Sequence, residues 1–210
     1  MNAGTSIESR MAQAMTDAGP SLAAFAASGP TLILFVRHQG CTFCREALAD
    51  LAAWRKSSGE GTRAAVVQMG SIEQGRSLLD AHGLTDVAVV SDPDRELYRG
   101  FELGRGSLRQ LFGPRVWWRG FLATLRGHFV GRLVGDGFQM PGAFLVEDGR
   151  IVRAFRHRDA ADRPNLGELC ELGPLRPAAT PSASGREQRS VATAATPAVR
   201  TPAMAADGAS

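Results

Sequence analysis

The sequence predicts an α/β fold in which a central mixed β-sheet is flanked by helices. Between residues 31 and 98, apolar runs alternate with helical patterns, which is typical of parallel strands joined by crossover helices. Farther along, the apolar runs 143–146 and 151–155 flank an Asp-Gly pair, which is a strong signal for an antiparallel hairpin. A sheet that contains both kinds of pairing is mixed.

The size of the chain fits one domain with additional ends. A chain of 210 residues accommodates a domain of about 150 residues and flexible termini. The formal charge is +3, and the basic residues are all arginine except Lys56. This arginine bias is typical of a GC-rich genome and weakens a nucleic-acid interpretation, so we expect no nucleic-acid partner.

The start of the chain and its few cysteines indicate a cytoplasmic protein. Residues 1–28 lack the basic and apolar regions of a secretory leader, and no run approaches the ~18 apolar residues of a membrane span. The chain has three cysteines, and two of them form one motif, so the disulfide framework of a secreted protein is not expected.

Local sequence patterns predict the first helices and the first strand. Residues 1–28 are predicted to form an N-terminal helical extension that is interrupted at Gly19-Pro20 and Gly29-Pro30. Residues 31–36 are continuously apolar, as expected of a strand that is covered on both faces. The next helix has one apolar stripe and one polar face, the stripe being Cys44, Leu48, Leu51 and Ala52 and the polar face Arg45, Glu46 and Arg55.

The alternation of strands and helices then continues. Residues 63–69 and 87–90 are predicted to form the second and third buried strands. Between them, Ser71 and Gln74 have the spacing of a capping box at a helix start. After the third strand, Asp92-Pro93 is expected to begin another helix, with the aspartate as N-cap and the proline as first helical residue.

The C-terminal part is predicted to contain a hairpin, a helix and a tail. The runs on either side of Asp148-Gly149 pair as the hairpin, and a last helix over residues 166–172 closes the fold. The main domain is therefore expected over residues 29–172, with a helical insertion at about 103–138. Residues 173–210 are rich in Pro, Ala, Ser and Thr and are predicted to be a disordered tail.

The residues with the clearest chemistry are Cys41 and Cys44, a C-x-x-C pair between the first strand and the following helix. At such a junction the helix N-terminus favours a thiolate, and the second thiol lies one turn behind the first. This arrangement is typical of a thioredoxin-like redox site. Arg37 and His38 at the end of the strand either offer positive charge to the thiols or belong to a solvated loop.

Two other interpretations of the pair stay open. The cysteines could be packed as small apolar residues, or they could be half of a zinc site. Zinc needs two more ligands, and Cys170 and the four histidines show no paired spacing. With no flavin or nucleotide motif either, we expect no metal and no cofactor. Cys170 is expected in the core of the last helix, and Arg156-His157-Arg158-Asp159 is expected to be a surface turn without a catalytic role.

Further motifs accompany the pair in a fixed order. They are Phe35-Val36-Arg37-His38-Gln39-Gly40-Cys41-Thr42-Phe43-Cys44-Arg45-Glu46, Ser91-Asp92-Pro93-Asp94-Arg95-Glu96-Leu97-Tyr98, Arg105-Gly106-Ser107 and Met140-Pro141-Gly142. With these motifs the chain resembles the peroxiredoxin-like proteins of the AhpC/TSA type, a branch of the thioredoxin-fold superfamily that includes selenoprotein-U-like proteins. The resemblance covers roughly residues 30–172.

The resemblance implies a thioredoxin-like fold and thiol-disulfide redox chemistry with an antioxidant role. Cys41 and Cys44 would reduce a peroxide or a protein disulfide and would themselves become a disulfide. A cellular dithiol, such as a thioredoxin or glutathione system, would reduce that disulfide. Pro141, before the hairpin, matches a proline that is typically cis in this fold and that packs against the redox pair.

The two related families assign the attacking thiol differently. A peroxiredoxin motif, Pro-x-x-x-Thr-x-x-Cys, puts Cys44 at the attacking position, with Arg37 in place of its proline and Cys41 in place of its threonine. The thioredoxin alignment makes Cys41 the attacker. We expect Cys41 to attack first, because it lies at the start of the helix, where backbone N–H groups stabilise a thiolate.

A basic segment with tryptophans lies within the insertion. Residues 103–135 contain six arginines and no acidic residue. On a helix from residue 115, one face carries arginines and the other apolar residues, the first being Arg115, Arg119 and Arg126 and the second including Trp118. The favoured interpretation is a cover for the sheet or the redox cleft. The alternative function is a redox-controlled interaction module with negligible turnover that binds a protein or a membrane surface through this segment.

Overall fold

A five-stranded mixed sheet forms the centre of the fold. The computed structural model describes residues 6–37, 41–57, 62–107, 118, 136–159 and 162–171. The strands are β1 (Thr31–Phe35), β2 (Arg63–Gln68), β3 (Ala88–Ser91), β4 (Gly142–Glu147) and β5 (Arg150–Arg156). Their order is β3-β2-β1-β4-β5. β3, β2 and β1 are parallel to one another, and β4 pairs antiparallel with both β1 and β5. The α/β fold with a mixed sheet is therefore confirmed.

Helices cover both faces of this sheet. They are α1 (Ile7–Gln13), α2 (Leu22–Ala26), α3 (Thr42–Ser57), α4 (Ile72–Asp80), α5 (Glu96–Gly100) and α6 (Leu166–Cys170). Successive residues of a strand point to opposite faces. Accordingly, Leu32 and Leu34 of β1 pack in the cluster that contains residues of α3, α4 and α6. Ile33 and Phe35 pack in a second cluster with residues of α1, α2 and α5, which explains why this strand is apolar throughout.

The described part of the N-terminal extension contributes to the core. Its buried apolar side chains belong to the second cluster and are at most 1% exposed, namely Met11, Leu22 and Ala26. The link between α1 and α2 also pairs with the sheet edge, where Thr16 forms a bridge with Val90. Beside it, Asp17 N donates to Val89 O at 2.9 Å. The extension thus covers one face of the sheet and part of the β3 edge.

Two short-range sequence signals are confirmed. Ser71 Oγ accepts from Gln74 N at 3.3 Å, and Gln74 Oε1 accepts from Ser71 N at 3.0 Å, which is the predicted capping box at the start of α4. Asp148 and Gly149 have φ values of 49° and 75° and join β4 to β5. Positive φ at both central residues is what a two-residue hairpin turn requires, and Asp-Gly supplies it at low cost.

The predicted start of α5 is wrong. The helix begins at Glu96 rather than at Pro93, because Arg95 adopts a left-handed conformation with φ of 60°. Asp92 nevertheless caps the helix from a distance, since its carboxylate accepts from the backbone N–H of Glu96 at 2.9 Å and of Leu97 at 2.8 Å. Side-chain capping therefore works here across an intervening turn.

The expectation that Glu46 faces water is also wrong. Its side chain is buried, with 4% of the residue exposed. Arg163, in the segment before α6, donates from Nη1 to Glu46 Oε1 at 2.7 Å. The partner lies 117 residues away along the chain, so the helix periodicity alone could not indicate it.

Part of the predicted organisation lies outside the described residues. This holds for the tail at 173–210 and for most of the insertion at 103–138, including its predicted arginine face. Trp118 is described, and it is helical and 64% exposed, so the expectation that it lies on a covered face is wrong. Within the described ranges, no helix is long and apolar enough to span a membrane.

Candidate active site

The C-x-x-C pair lies just beyond the C-terminal end of β1. Cys41 immediately precedes α3 and accepts a backbone hydrogen bond from Arg45 N at 3.1 Å, while Cys44 lies in the first turn of the helix. Neither residue forms a disulfide, and each is 4% exposed. The structure thus places the two predicted cysteines at the start of one helix as a reduced, buried pair.

Arg37 connects the two cysteines to a distant segment of the chain. Its Nη2 donates to Cys41 Sγ at 2.9 Å, and its backbone N–H donates to Cys44 Sγ at 3.2 Å. Its Nη1 donates to Gly137 O at 3.1 Å. Of the two interpretations that the sequence left open, the structure supports the one in which Arg37 faces the thiols. His38 lies outside the described residues.

The environment of Arg37 shows how its charge is compensated. The residue is only 7% exposed, and burial by itself lowers the pKa of a guanidinium. The charges of Cys41 and Cys44 and their hydrogen bonds outweigh this effect and raise the pKa of Arg37 above its ordinary value. Arg37 therefore stays positively charged, and a positive charge at this distance stabilises a thiolate on the neighbouring sulfur.

Tyr98 of α5 supports the end of the strand from which Arg37 projects. Its hydroxyl donates to the carbonyl oxygens of Val36 and Val67, the second at 3.2 Å, and the side chain is fully buried. Burial raises the pKa of Tyr98 well above its ordinary value, and the charges of Cys44 and Asp92 raise it further. The hydroxyl therefore stays protonated and acts as a permanent donor to the strand ends.

A small pocket adjoins Cys44. Its free volume is about 10 Å³, which is about the room that one water molecule needs. The polar or reactive residues that line it are Arg37, Cys44 and His157, and Pro141 is also part of the wall. Pro141 is buried, as the predicted packing against the redox site requires. However, the bond before Pro141 is trans, because the described residues contain no cis peptide bond, so the expected cis form is wrong.

His157 is the site residue that the sequence analysis missed. It was expected in a surface turn, yet it follows β5 directly, and its backbone N–H donates to Pro141 O at 3.4 Å. Its Nδ1 is buried and has no hydrogen-bond partner among the described residues. Burial lowers the pKa of His157 to about 4, and although Asp162 opposes this shift, the charge of Arg37 adds to it. His157 as a whole is half-buried, and its charged neighbours along the chain did not indicate this.

Cys170 behaves as the expected core residue. It is 9% exposed and packs in the same cluster as Leu166 and Leu169 of α6. Burial raises the pKa of Cys170 to about 11, although the charge of Arg153 opposes the shift, so its thiol stays protonated and unreactive at neutral pH. Within the described ranges, no group of three or more His, Cys, Asp or Glu residues is placed to hold a metal ion.

Comparisons with known sequences identify a family and curated relatives. A family model described as "AhpC/TSA antioxidant enzyme" matches residues 47–161, more than half of the 210-residue chain. Peroxiredoxin-like 2A from Homo sapiens is 27% identical over 165 residues, which cover 69% of this chain and 62% of the relative. The Mus musculus protein of the same name is 29% identical over 158 residues, which cover 74% of this chain and 70% of that relative. The chain spans about three fifths of the length of the human and rat relatives.

Comparisons with solved structures bear on the fold. A Cys-to-Ser mutant of PrxQ from Xylella fastidiosa has a TM-score of 0.52 at 16% identity, with 80% of this chain and 91% of that chain covered. A Cys-to-Ser mutant of peroxiredoxin 6 from Arenicola marina has a TM-score of 0.50 at 10% identity, with 74% of this chain and 64% of that chain covered. These similarities show a thioredoxin-like peroxiredoxin fold. The family match begins at residue 47 and so does not include the C-x-x-C pair.

Proposed function

Because the chain belongs to the AhpC/TSA antioxidant enzyme family, we propose that it is a thiol-dependent oxidoreductase whose redox centre is the Cys41–Cys44 pair. The observation that carries the proposal is the contact of Arg37 with both sulfurs, at 2.9 Å from the guanidinium to Cys41 and at 3.2 Å from the backbone N–H to Cys44. A thiolate is the reactive form of cysteine, and buried positive charge is what stabilises it.

Cys41 is proposed to attack first. Its sulfur accepts a charge-assisted hydrogen bond from the guanidinium at 2.9 Å, and it lies at the start of α3, where backbone N–H groups stabilise a thiolate, whereas Cys44 lies within the helix. The Cys41 thiolate attacks one oxygen of a peroxide, so that the O–O bond breaks, an alkoxide or hydroxide leaves and a sulfenic acid forms. Cys44 then attacks the sulfenic sulfur and releases water, which leaves the Cys41–Cys44 disulfide.

A small oxidant fits the site better than a protein disulfide. Each cysteine is 4% exposed, so a small molecule can approach the sulfurs more readily than a protein surface can. The water-sized pocket adjoins Cys44, the proposed resolving thiol, and its wall does not include Cys41. We therefore propose a peroxide as the substrate and an antioxidant role, with Pro141 shaping the pocket wall next to Cys44. A dithiol reductant of the thioredoxin or glutathione kind would return the pair to its reduced state by thiol-disulfide exchange.

The first experiment asks whether the pair is redox-active. The protein is treated with one equivalent of hydrogen peroxide, and its free thiols are counted by alkylation and intact-mass measurement. We expect the loss of two thiols, with Cys170 still alkylated after unfolding. Cys41→Ser and Cys44→Ser should each prevent disulfide formation, and Cys170→Ser is the matched control that should retain it. Recovery of all three thiols from the treated wild-type protein would contradict the proposal.

The second experiment assigns the attacking thiol. The reduced protein is exposed briefly to iodoacetamide at mildly acidic pH, and the modified peptides are mapped. We expect preferential modification of Cys41, because its position at the start of α3, together with the Arg37 guanidinium, favours its thiolate. If Cys44 reacts first, the roles are exchanged and the mechanism becomes that of a peroxidatic Cys44 resolved by Cys41.

A further inference from the structure

We infer that Arg37 stabilises the reduced Cys41–Cys44 pair over its disulfide, and that oxidation releases the segment Asp136–Met140 from Arg37. Arg37 is then a positioning residue that determines how readily the disulfide is reduced, and it transmits the redox state of the pair to the chain that precedes β4. The inference rests on the proposed function, because it requires the pair to alternate between dithiol and disulfide.

Arg37 carries a buried positive charge. Arg37 is 7% exposed, and the charges that raise its pKa against the effect of burial are those of Cys41 and Cys44. Its Nε is buried and has no hydrogen-bond partner among the described residues. A buried cation is costly unless it is paired, so the stability of this arrangement depends on the negative charge of the sulfurs.

Oxidation of the pair removes the negative charge that offsets Arg37. When the Cys41 thiolate and the Cys44 thiol become a disulfide, they give up two electrons and one proton, and hydrogen peroxide takes these up and leaves as water and hydroxide. The S–S bond carries no charge, and its sulfurs are weak acceptors. The guanidinium loses its compensation and the oxidised form is disfavoured, just as stabilisation of the reduced form makes a thiol-disulfide couple strongly oxidising.

Arg37 also contacts the Asp136–Met140 segment. Arg37 Nη1 donates to Gly137 O at 3.1 Å, which joins the redox pair to this segment. Ion pairs from Arg95 and Arg105 to Asp136 also hold the segment, and so do backbone hydrogen bonds to Gly104 and Gly106. Oxidation favours movement of the Arg37 side chain toward water, which breaks its contact with Gly137 and leaves these other attachments in place.

The main test is the equilibrium between the protein and a glutathione redox buffer. We expect the constant for reduction of the disulfide to fall at least tenfold in Arg37→Gln, a shift of about 30 mV to more negative potential. Arg37→Lys keeps a charge but loses the fork of donors, so its shift should be smaller. Arg45→Gln is the matched control, because it removes a nearby arginine of α3, and it should shift the constant less than threefold. An unchanged constant in Arg37→Gln overturns the inference.

A second readout uses only the wild-type protein and so does not depend on the folding of a variant. Amide hydrogen exchange is compared between the reduced and the oxidised protein. We expect Gln139, whose backbone N–H donates to Asp136 O at 3.1 Å across the turn that contains Gly137, to exchange at least tenfold faster after oxidation. Met140, whose backbone N–H donates to Gly104 O at 3.0 Å, is the internal control and should keep its rate. Equal exchange of Gln139 in the two states overturns the inference. If no disulfide forms at all, the proposed function itself fails, whereas a disulfide whose potential ignores Arg37 overturns this inference alone.

Discussion

At the scale of single residues, burial lowers the pKa of both basic groups beside Cys44, but only one of them loses its charge. Arg37 keeps its charge because the sulfurs of the pair offset the effect of burial on its pKa. His157 loses its charge because burial, supported by the neighbouring Arg37, lowers its pKa to about 4. At neutral pH the pocket is therefore lined by one cation and one neutral imidazole, which can donate or accept a hydrogen bond.

We predict that part of the acid sensitivity of the protein comes from His157. Its pKa is about 4 in the folded state and ordinarily 6.5, so between these values the unfolded chain binds more protons than the folded one. The contribution of His157 to the free energy of unfolding is fully present above about pH 6.5. It is lost as the pH falls toward 4, by on the order of 3 kcal/mol. Urea unfolding across this pH range measures the loss.

Two variants isolate this contribution from that of the carboxylates. His157→Gln removes the titrating group, so its free energy of unfolding should fall less on acidification than that of the wild-type protein. His82→Gln, which changes a histidine after α4, is the matched control and should keep the wild-type acid sensitivity. The same slope in all three proteins would show that His157 is not held neutral by the fold.

At the scale of elements, the helix that carries the redox pair is fixed by residues outside it. Arg163 donates to Glu46 at 2.7 Å and to Asp50 at 2.9 Å, so the segment before α6 is attached to two successive turns of α3. Glu46 follows Cys44 by two positions, so this contact helps to hold the first turn of α3 in place. The orientation of both thiols toward Arg37 depends on that position.

We predict that the two carboxylates beside Arg163 contribute unequally. The Glu46 side chain is 5% exposed and that of Asp50 is 30% exposed. Glu46→Gln leaves a buried hydrogen bond without its charge and should reduce the free energy of unfolding by about 1–3 kcal/mol. Asp50→Asn is the matched change on the same arginine, and water screens its loss, so it should cost less than ~1 kcal/mol. Equal losses in urea unfolding would contradict this ranking.

At the scale of the whole molecule, the sheet needs covering on both faces. One face is covered by α3, α4 and α6, which carry the redox pair and Cys170. The other is covered by α5 and by the N-terminal helices, whose side chains pack on Phe35 and its neighbours. The N-terminal extension therefore supports the strand from which the site residue Arg37 projects, although it lies on the opposite face from the thiols.

We predict that Met11 is essential to this support. It is 1% exposed in the second cluster, and shortening a buried methionine leaves a cavity, so Met11→Ala should cost about 2–4 kcal/mol in urea unfolding. Gln13→Ala is the matched control on the same helix, and because its side chain is exposed it should change stability by less than ~0.5 kcal/mol. A mild effect of Met11→Ala would mean that the extension is dispensable.

The sequence by itself determined the features that depend on neighbouring residues. The apolar run of β1, the capping box of Ser71 with Gln74, the Asp148-Gly149 turn and the C-x-x-C pair at a strand end are each set by residues within a few positions of one another. Backbone geometry and side-chain capping act over that distance, so these features were predictable. The mixed sheet followed from the same local patterns.

Only the tertiary structure decided which distant residues complete the site. Arg37 meets Gly137 across 100 positions, and Glu46 meets Arg163 across 117. His157 reaches the pocket of Cys44 because β5 pairs with β4, and β4 lies beside β1. Burial and the compensation of charge depend on what surrounds a group in space. The pattern of polar and apolar residues along the chain does not record that, so both Glu46 and His157 were expected at the surface, whereas Glu46 is buried and His157 is half-buried.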